Sequence, residues 1–263
     1  MNKVAIIIPT KNNFEVLRDC LLSIKEYFKG EYHIFLADTG SEDKCKLKIR
    51  ELFNKSFNGN RNITYIQYNY YNFAKINNDV VFNHVKNNYE WLLFCNNDIV
   101  FYGDFIRHVT NVSIDDTGTI GAKLLFPNKQ IQHMGQFMSK KNHEFHVGHI
   151  GYGKPNIKST KKLHEVQGNT FACCLTPTKL FHEIGGLNTR YCECFEDVEY
   201  NLECNLRNKL NVCDHTHDHY HYESLSRGKN YCKIMEDYHK NLRPFMTKHW
   251  NKLEEIWKKG NLL

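Results

Sequence analysis

The sequence predicts an α/β fold with a central, mostly parallel sheet, and three observations predict it. Short continuous apolar runs, Val4-Ala-Ile-Ile-Ile, His33-Ile-Phe-Leu-Ala and Trp91-Leu-Leu-Phe-Cys, have the pattern of strands buried on both faces. Between them lie segments whose apolar residues recur at helical spacing. The run ends carry polar residues: Thr10 and Lys11, Asp38 and Ser41, Asn69 to Asn72, and Asn96 to Asp98. Strand and helix in alternation imply right-handed crossovers and a parallel sheet. Ligands bind beyond the carboxyl ends of such strands, so the same pattern locates a site.

In chain order, Val4 to Ile8 is the first strand and Pro9 is expected to end it. Val16, Leu17, Cys20, Leu21, Ile24, Tyr27 and Phe28 mark a helix. His33 to Ala37 is the second strand, Glu42 to Phe53 a helix, and Ile63 to Tyr68 the third strand. Phe73, Ile76, Val80 and His84 mark another helix before the fourth strand, Trp91 to Cys95. The second half is less regular. Ile120 to Phe126 reads as a strand, and Gln130 to Lys162 as loop or short hairpin. Pro177 to Ile184 reads as a helix, with Pro at its start and Gly185-Gly186 at its end. Asp197 to Asn208 looks helical and Val212 to Tyr222 extended. Tyr231 to Lys259 is expected to be helical with a break near Pro244.

The 263 residues suit one large domain, or a domain with a helical tail, and the 41% of hydrophobic residues can build a substantial core. A net charge of +6 fits an anionic substrate, an acidic membrane surface or nucleic acid without choosing among them. Ten cysteines contain no C-x-x-C pair, which argues against zinc-ribbon spacing. The apolar run after Met1 is too short for a signal-peptide core or a membrane span, which needs about 20 residues. The expectation is therefore a cytoplasmic protein with reduced thiols.

Eight pieces in order carry a family resemblance. They are Val4-Ala-Ile-Ile-Ile-Pro-Thr-Lys-Asn, Asp38-Thr-Gly-Ser, Asn72-Phe-Ala-Lys-Ile-Asn-Asn and Leu92-Leu-Phe-Cys-Asn-Asn-Asp. Gln132-His-Met-Gly, Gly185-Gly-Leu-Asn, Phe195-Glu-Asp-Val-Glu and His221-Tyr-Glu-Ser-Leu-Ser-Arg follow. Together they resemble glycosyltransferase family 2, the inverting enzymes of GT-A fold, and within it the branch that builds surface polysaccharides and rhamnose-containing chains. The resemblance runs from about Val4 to Arg227. It implies a GT-A, Rossmann-like nucleotide-diphospho-sugar transferase domain over residues 1–230, with residues 231–263 as a helical extension packed on it. It also implies a hexosyl-transferring enzyme. The donor would be UDP-, GDP- or dTDP-linked, and the acceptor a saccharide, free or lipid- or protein-linked.

Breaking a sugar–phosphate bond leaves charge on the diphosphate, which a hard divalent cation can neutralise. The family holds Mn²⁺ or Mg²⁺ with a D-x-D motif at the end of strand four. Here that position reads Asn96-Asn97-Asp98, so one carboxylate is an amide and Asp98 is the expected metal ligand. By the same resemblance Asp38 accepts hydrogen bonds from the base or ribose, with Pro9, Thr10 and Ser41 lining the pocket. Asn72 and Lys75 face the diphosphate or sugar, as do Asn96, Asn97 and Arg227. Asp197 is the expected base for the acceptor hydroxyl, with Glu196 as runner-up; adjacent on a helix, they point about 100° apart. His133, Gly168 and Asn169 are expected to border the acceptor and sugar pockets.

Cys213, His215, His217, His219 and His221 alternate, so on a regular strand they face one side. Four histidines spread over roughly 20 Å cannot share one ion. The family places a single histidine near the metal, and His221 matches it best, with His219 as the alternative. Trp250, Leu253, Ile256 and Trp257 beside Lys248, Lys252, Lys258 and Lys259 form a basic amphipathic tail. It suits packing on the domain first, and a peripheral membrane contact second. Three other readings compete. One is a non-catalytic nucleotide-sugar binder, since Asn96 lacks a carboxylate. A nucleotidyltransferase would want glycines in the loop after strand one, and Thr10-Lys-Asn-Asn-Phe has none. Nucleic-acid binding rests on charge alone, and no nucleic-acid partner is expected.

Overall fold

The structure is a computed structural model that describes residues 3–57, 62–86, 88–141, 144–158, 162–191, 194–222 and 231–258. Four strands form its parallel heart. They are β1 (Val4–Thr10), β2 (Tyr32–Asp38), β3 (Ile63–Gln67) and β4 (Trp91–Cys95). The helices α1 (Phe14–Tyr27), α2 (Asp43–Ser56) and α3 (Phe73–Asn83) connect them. β1 pairs in parallel with both β2 and β4, and β2 with β3. Ile6, Ile8, Leu36 and Leu93 bury one sheet face against α1 and α2; Ala5, Ile7, Leu92 and Phe94 bury the other. These apolar runs were legible because a strand covered on both faces has no polar alternation.

β1 runs through Pro9 to Thr10, where the sequence predicted an end at Pro9. Pairing of β1 with β4 stops at Ile7–Phe94, so by Pro9 the strand has parted from that neighbour while it still follows β2. A proline costs a ladder bond only where a partner waits for its N–H.

The chain continues through β5 (Ile99–Val100), a 3₁₀ helix (Phe105–Thr110) and β6 (Thr117–Leu125). Then come β7 (Ile131–His133), β8 (Gln136–Lys141), β9 (Glu144–His149) and β10 (Leu163–Glu165). The region read as loop or short hairpin thus holds a β8–β9 hairpin, and also a strand on β6. β11 (Cys173–Pro177), α4 (Thr178–Ile184), α5 (Glu196–Leu206), β12 (Leu210–His221) and α6 (Tyr231–Lys258) complete the chain. β11 inserts antiparallel between β4 and β6, and β12 runs parallel to β6, giving the order β10-β12-β6-β11-β4-β1-β2-β3. The sheet is therefore mostly parallel at its centre, with antiparallel additions. α4 ends as predicted, on Gly185 and Gly186 at φ 88° and 80°.

α6 passes through Pro244 without the predicted break. Proline forfeits one helical hydrogen bond, and packing on both sides of it holds the helix. Phe245 and Leu253 are fully buried against Phe195, Val198 and Leu202 of α5 and Met138 and Phe145 of the hairpin. Lys248 pairs with Glu199 and Lys252 with Glu203. The described part of the tail therefore spends its apolar face and two of its lysines on the domain rather than on a membrane. No helix among the described residues is long and apolar enough to cross one.

Candidate active site

The carboxyl ends of β1, β2 and β4 meet at one edge of the sheet. Asp38 ends β2, and its Oδ1 accepts from the backbone N–H of Gly40 at 3.0 Å and Ser41 at 2.7 Å. Tyr65 donates its hydroxyl to Oδ2. Burial first, and the hydrogen bond to Asp38 next, push the Tyr65 phenol far up. The loops after β1 and β2 are stitched together: Asn12 N–H reaches Ser41 Oγ at 2.7 Å, and Asn12 Oδ1 accepts from Glu42 N–H at 2.8 Å. Asn12 and Asn13 take φ of 54° and 50°, the left-handed region that asparagine tolerates and this glycine-free loop requires. Beside Asp38, a pocket of about 580 Å³ is lined by Gly40, Lys46, Gln67, Tyr68 and Asn69.

At the end of β4, Asn97 Nδ2 donates to Thr10 Oγ1 at 2.9 Å, joining the Asn96–Asp98 turn to β1. β12 brings in His221, whose Nε2 lies 3.0 Å from Asp98 Oδ1 and 3.3 Å from Asn96 Nδ2. The other ring nitrogen, Nδ1, lies 2.7 Å from Gln132 Oε1. Asp98 Oδ1 is buried and has no hydrogen-bond partner among the described residues. A buried carboxylate oxygen and an imidazole nitrogen that converge without a bond between them fit a divalent cation. Among the described residues no group of three or more His, Cys, Asp or Glu is placed to hold a metal ion, so this pair would leave the remaining positions to other ligands.

The other histidines of β12 do not share this face, which corrects the expectation of simple alternation. The register with β6 slips between Asp214 and His219, where the six positions from Asp214 to His219 oppose the three from Ala122 to Leu124. Such a bulge re-aims every side chain beyond it. His215 stacks on His164 with centroids 4.1 Å apart, and His217 Nε2 meets Arg107 at 2.9 Å. His219 is fully buried and accepts from Tyr102 N–H through Nδ1 at 3.1 Å; burial lowers its pKa to about 3.

Asp197 stands in the first turn of α5, following Phe195 at φ 80°. Its Oδ2 accepts from Gln136 Nε2 at 3.0 Å and its Oδ1 from Val198 N–H at 2.8 Å. Burial raises the pKa of this carboxyl, and the nearby His149 ring and those hydrogen bonds only partly oppose it. A raised carboxyl pKa suits a group that exchanges a proton. Glu196 is buried beside it. His149 Nδ1 lies 3.3 Å from the Gln132 carbonyl, so contacts run from Thr10, paired in register with Asp38, through Asn97, Asp98, His221 and Gln132 to His149, whose ring bears on the Asp197 carboxyl electrostatically.

Other predicted residues sit differently. Asn72 caps α3, accepting from Lys75 N–H at 2.8 Å, while the exposed Lys75 ammonium lies 4.4 Å from the centre of the Tyr70 ring. His133 and Asn169, expected to border the acceptor and sugar pockets, are fully buried. His133 packs edge-on against His149, 4.7 Å between centroids, and burial holds its pKa well down. Asn169 belongs to an amide network: its Nδ2 donates to Thr119 Oγ1 and the Val212 carbonyl, and Asn201 Nδ2 donates to its own carbonyl. Gly168 lies where a side chain would strike Asn201 and Gln136. Arg227 lies outside the described residues. Sequence reasoning missed Gln136 and Tyr65, whose sole signal was a polar residue interrupting a strand pattern.

Comparison with known proteins agrees with this geometry. A family profile described as Glycosyl transferase family 2 matches residues 5–185. The chain is 27% identical over 236 residues to the O-antigen biosynthesis protein RfbC of Myxococcus xanthus, covering 86% of this chain and 18% of that protein. It is 28% identical over 236 residues to the uncharacterized protein y4gI of Sinorhizobium fredii, covering 86% of this chain and 25% of that one. The chain thus spans a quarter or less of these relatives. Among solved structures, GalNAc-T7 with UDP, GalNAc and Mn²⁺ superposes with a TM-score of 0.68 at 12% identity, over 87% of this chain and 44% of that one. The mannosyltransferase PcManGT of Pyrobaculum calidifontis, in complex with GDP-Man and Mn²⁺, gives 0.61 at 11% identity, over 91% and 64%. With the family profile spanning well over half of its residues, the chain belongs to glycosyl transferase family 2.

Proposed function

We propose that this chain transfers a sugar from a nucleotide-diphosphate donor to a saccharide or glycoconjugate acceptor, with inversion and with the help of a divalent cation. One observation carries the reading: Asp38, Asp98 and His221, far apart in sequence, stand together where β1, β2 and β4 end, with Asn97 bonded to Thr10 and His221 3.0 Å from Asp98; Asp197 is assigned to the same site as its base. The pocket of Asp38, Gly40, Lys46, Gln67, Tyr68 and Asn69 takes the nucleoside; Pro9, Thr10 and Ser41, assigned to it by the resemblance, are not among its lining residues. The diphosphate lies toward Asn96, Asn97 and the N-terminus of α3 with Asn72 and Lys75, where unpaired N–H groups favour anions. Arg227 is assigned the same role by its place in the sequence. Asp98 and His221 are the residues that would hold Mn²⁺ or Mg²⁺, which supplies charge neutralisation to the leaving diphosphate. The structures of GalNAc-T7 with UDP, GalNAc and Mn²⁺ and of PcManGT with GDP-Man and Mn²⁺ support the use of a divalent cation.

In the reaction the acceptor oxygen attacks the anomeric carbon from the face opposite the diphosphate. Asp197 takes the hydroxyl proton, the carbon–oxygen bond to the phosphate breaks, and the nucleoside diphosphate leaves with that electron pair. Gln136 holds the Asp197 carboxylate in place. Similarity to an O-antigen biosynthesis protein supports a growing polysaccharide as acceptor. Incubation with Mn²⁺ and a panel of UDP-, GDP- and dTDP-sugars tests the proposal. One donor should release nucleoside diphosphate and give a product of inverted anomeric configuration by NMR. Tight nucleotide binding without turnover of any donor would favour a non-catalytic binder, a reading that the amide at Asn96 also permits.

A further inference from the structure

We infer that Gln132 is a positioning residue that fixes the tautomer of His221 and so aims the Nε2 lone pair at the cation site; this rests on the metal reading above. Gln132 lies on β7, which hydrogen-bonds to β6 through Leu124–His133 and Leu125–Ile131, so its backbone is held on both sides. Its side chain is buried. Oε1 sits 2.7 Å from His221 Nδ1. A carbonyl oxygen only accepts, so Nδ1 carries the hydrogen. The neutral ring then presents Nε2 as a lone pair.

That lone pair faces Asp98 Oδ1 at 3.0 Å, and the carboxylate oxygen has no hydrogen-bond partner among the described residues. A ring protonated at both nitrogens would pair with Asp98 directly; with hydrogen on Nδ1 alone, the two electron-rich atoms repel one another unless a cation lies between them. Asn96 Nδ2, 3.3 Å from Nε2, gives a weak partial substitute in its absence. The same backbone stretch also meets His149, whose Nδ1 lies 3.3 Å from the Gln132 carbonyl, so one residue bridges the cation side and the Asp197 side of the site. Partners of this kind on a ligating histidine are typically worth 10–100-fold in metal affinity.

Two measurements test the assignment. In ¹⁵N-labelled metal-free protein, with the signal assigned by loss in His221→Asn, long-range ¹H–¹⁵N correlation should show a pyrrole-type Nδ1 and a pyridine-type Nε2. A pyridine-type Nδ1, or an imidazolium with both nitrogens protonated near neutral pH, overturns the proposal. Mn²⁺ binding, read from the free-ion EPR signal, should weaken roughly 10–100-fold in Gln132→Leu. Gln132→Glu, which still accepts from Nδ1, should restore affinity to within a few-fold of the wild type. If wild-type protein binds Mn²⁺ through Asp98 and Gln132→Leu binds it equally well, the positioning role fails and the metal reading stands. If wild-type protein binds no Mn²⁺, both fail.

Discussion

Asp197 is a carboxylate that burial makes reluctant to ionise, while the His149 ring and the Gln136 amide keep ionisation within reach. A base must be unprotonated to accept a proton. Turnover of bound donor should therefore rise with pH through the Asp197 pKa, which lies above the ordinary 3.8, and a profile flat across that range contradicts the assignment. Asp197→Asn should leave donor binding intact and slow transfer by roughly 10²–10⁴, the usual worth of a general base. Near-normal turnover would move the base elsewhere, to Glu196 first. Asp38 works through position: two backbone donors and Tyr65 hold its carboxylate. Asp38 and Asp197 stand at a strand end and in the first turn of a helix, positions that periodicity makes legible. Which way a polar residue faces is not legible in a pattern: His133 and Asn169 are fully buried, and His133 Nδ1 and Asn169 Oδ1 have no hydrogen-bond partner among the described residues.

Among the elements, α6 and α5 are joined by the Glu199 hub. Burial alone would raise the Glu199 pKa, but His249, Lys248, Tyr191 and Asn188 outweigh it and hold it at about 2. A depressed carboxylate contributes stability that is present above its unfolded value of 4.5 and is lost as pH falls toward about 2. Thermal stability should drop across that window, and Glu199→Ala should flatten this part of the profile while costing roughly 3–5 kcal/mol at neutral pH. An unchanged melting temperature in the variant would show that α6 is held by Phe245 and Leu253 alone. Gly121 of β6 makes a second element-scale prediction. An added Cβ there would lie 2.1 Å from Asn169 Oδ1, so Gly121→Ala should destabilise by about 1–3 kcal/mol, measured by denaturant unfolding. The parallel strands announced themselves through unbroken apolar runs. β11 did not, since Cys173-Cys-Leu-Thr-Pro is five residues long with a polar end, and its antiparallel pairing is a long-range choice. The β12 bulge was invisible for a related reason: alternation of histidines assumes a regular register, and the pairing with β6 breaks it.

For the molecule as a whole, one sheet edge collects what three crossovers and one returning strand deliver. β1, β2 and β4 bring Thr10, Asp38 and Asp98, β12 brings His221, and α5 stands Asp197 beside them. The family resemblance carried this arrangement more surely than any single motif, because eight weak pieces in order constrain topology together. Calorimetric titration of UDP, GDP and dTDP into the protein, with and without Mn²⁺, tests the shared cleft most directly. The account predicts that one of the three binds, at least about tenfold more tightly with the metal (about 1.4 kcal/mol). It also predicts that this gain vanishes in Asp98→Ala. Nucleotide affinity that is the same with and without Mn²⁺, or a gain that survives loss of the Asp98 carboxylate, would contradict it.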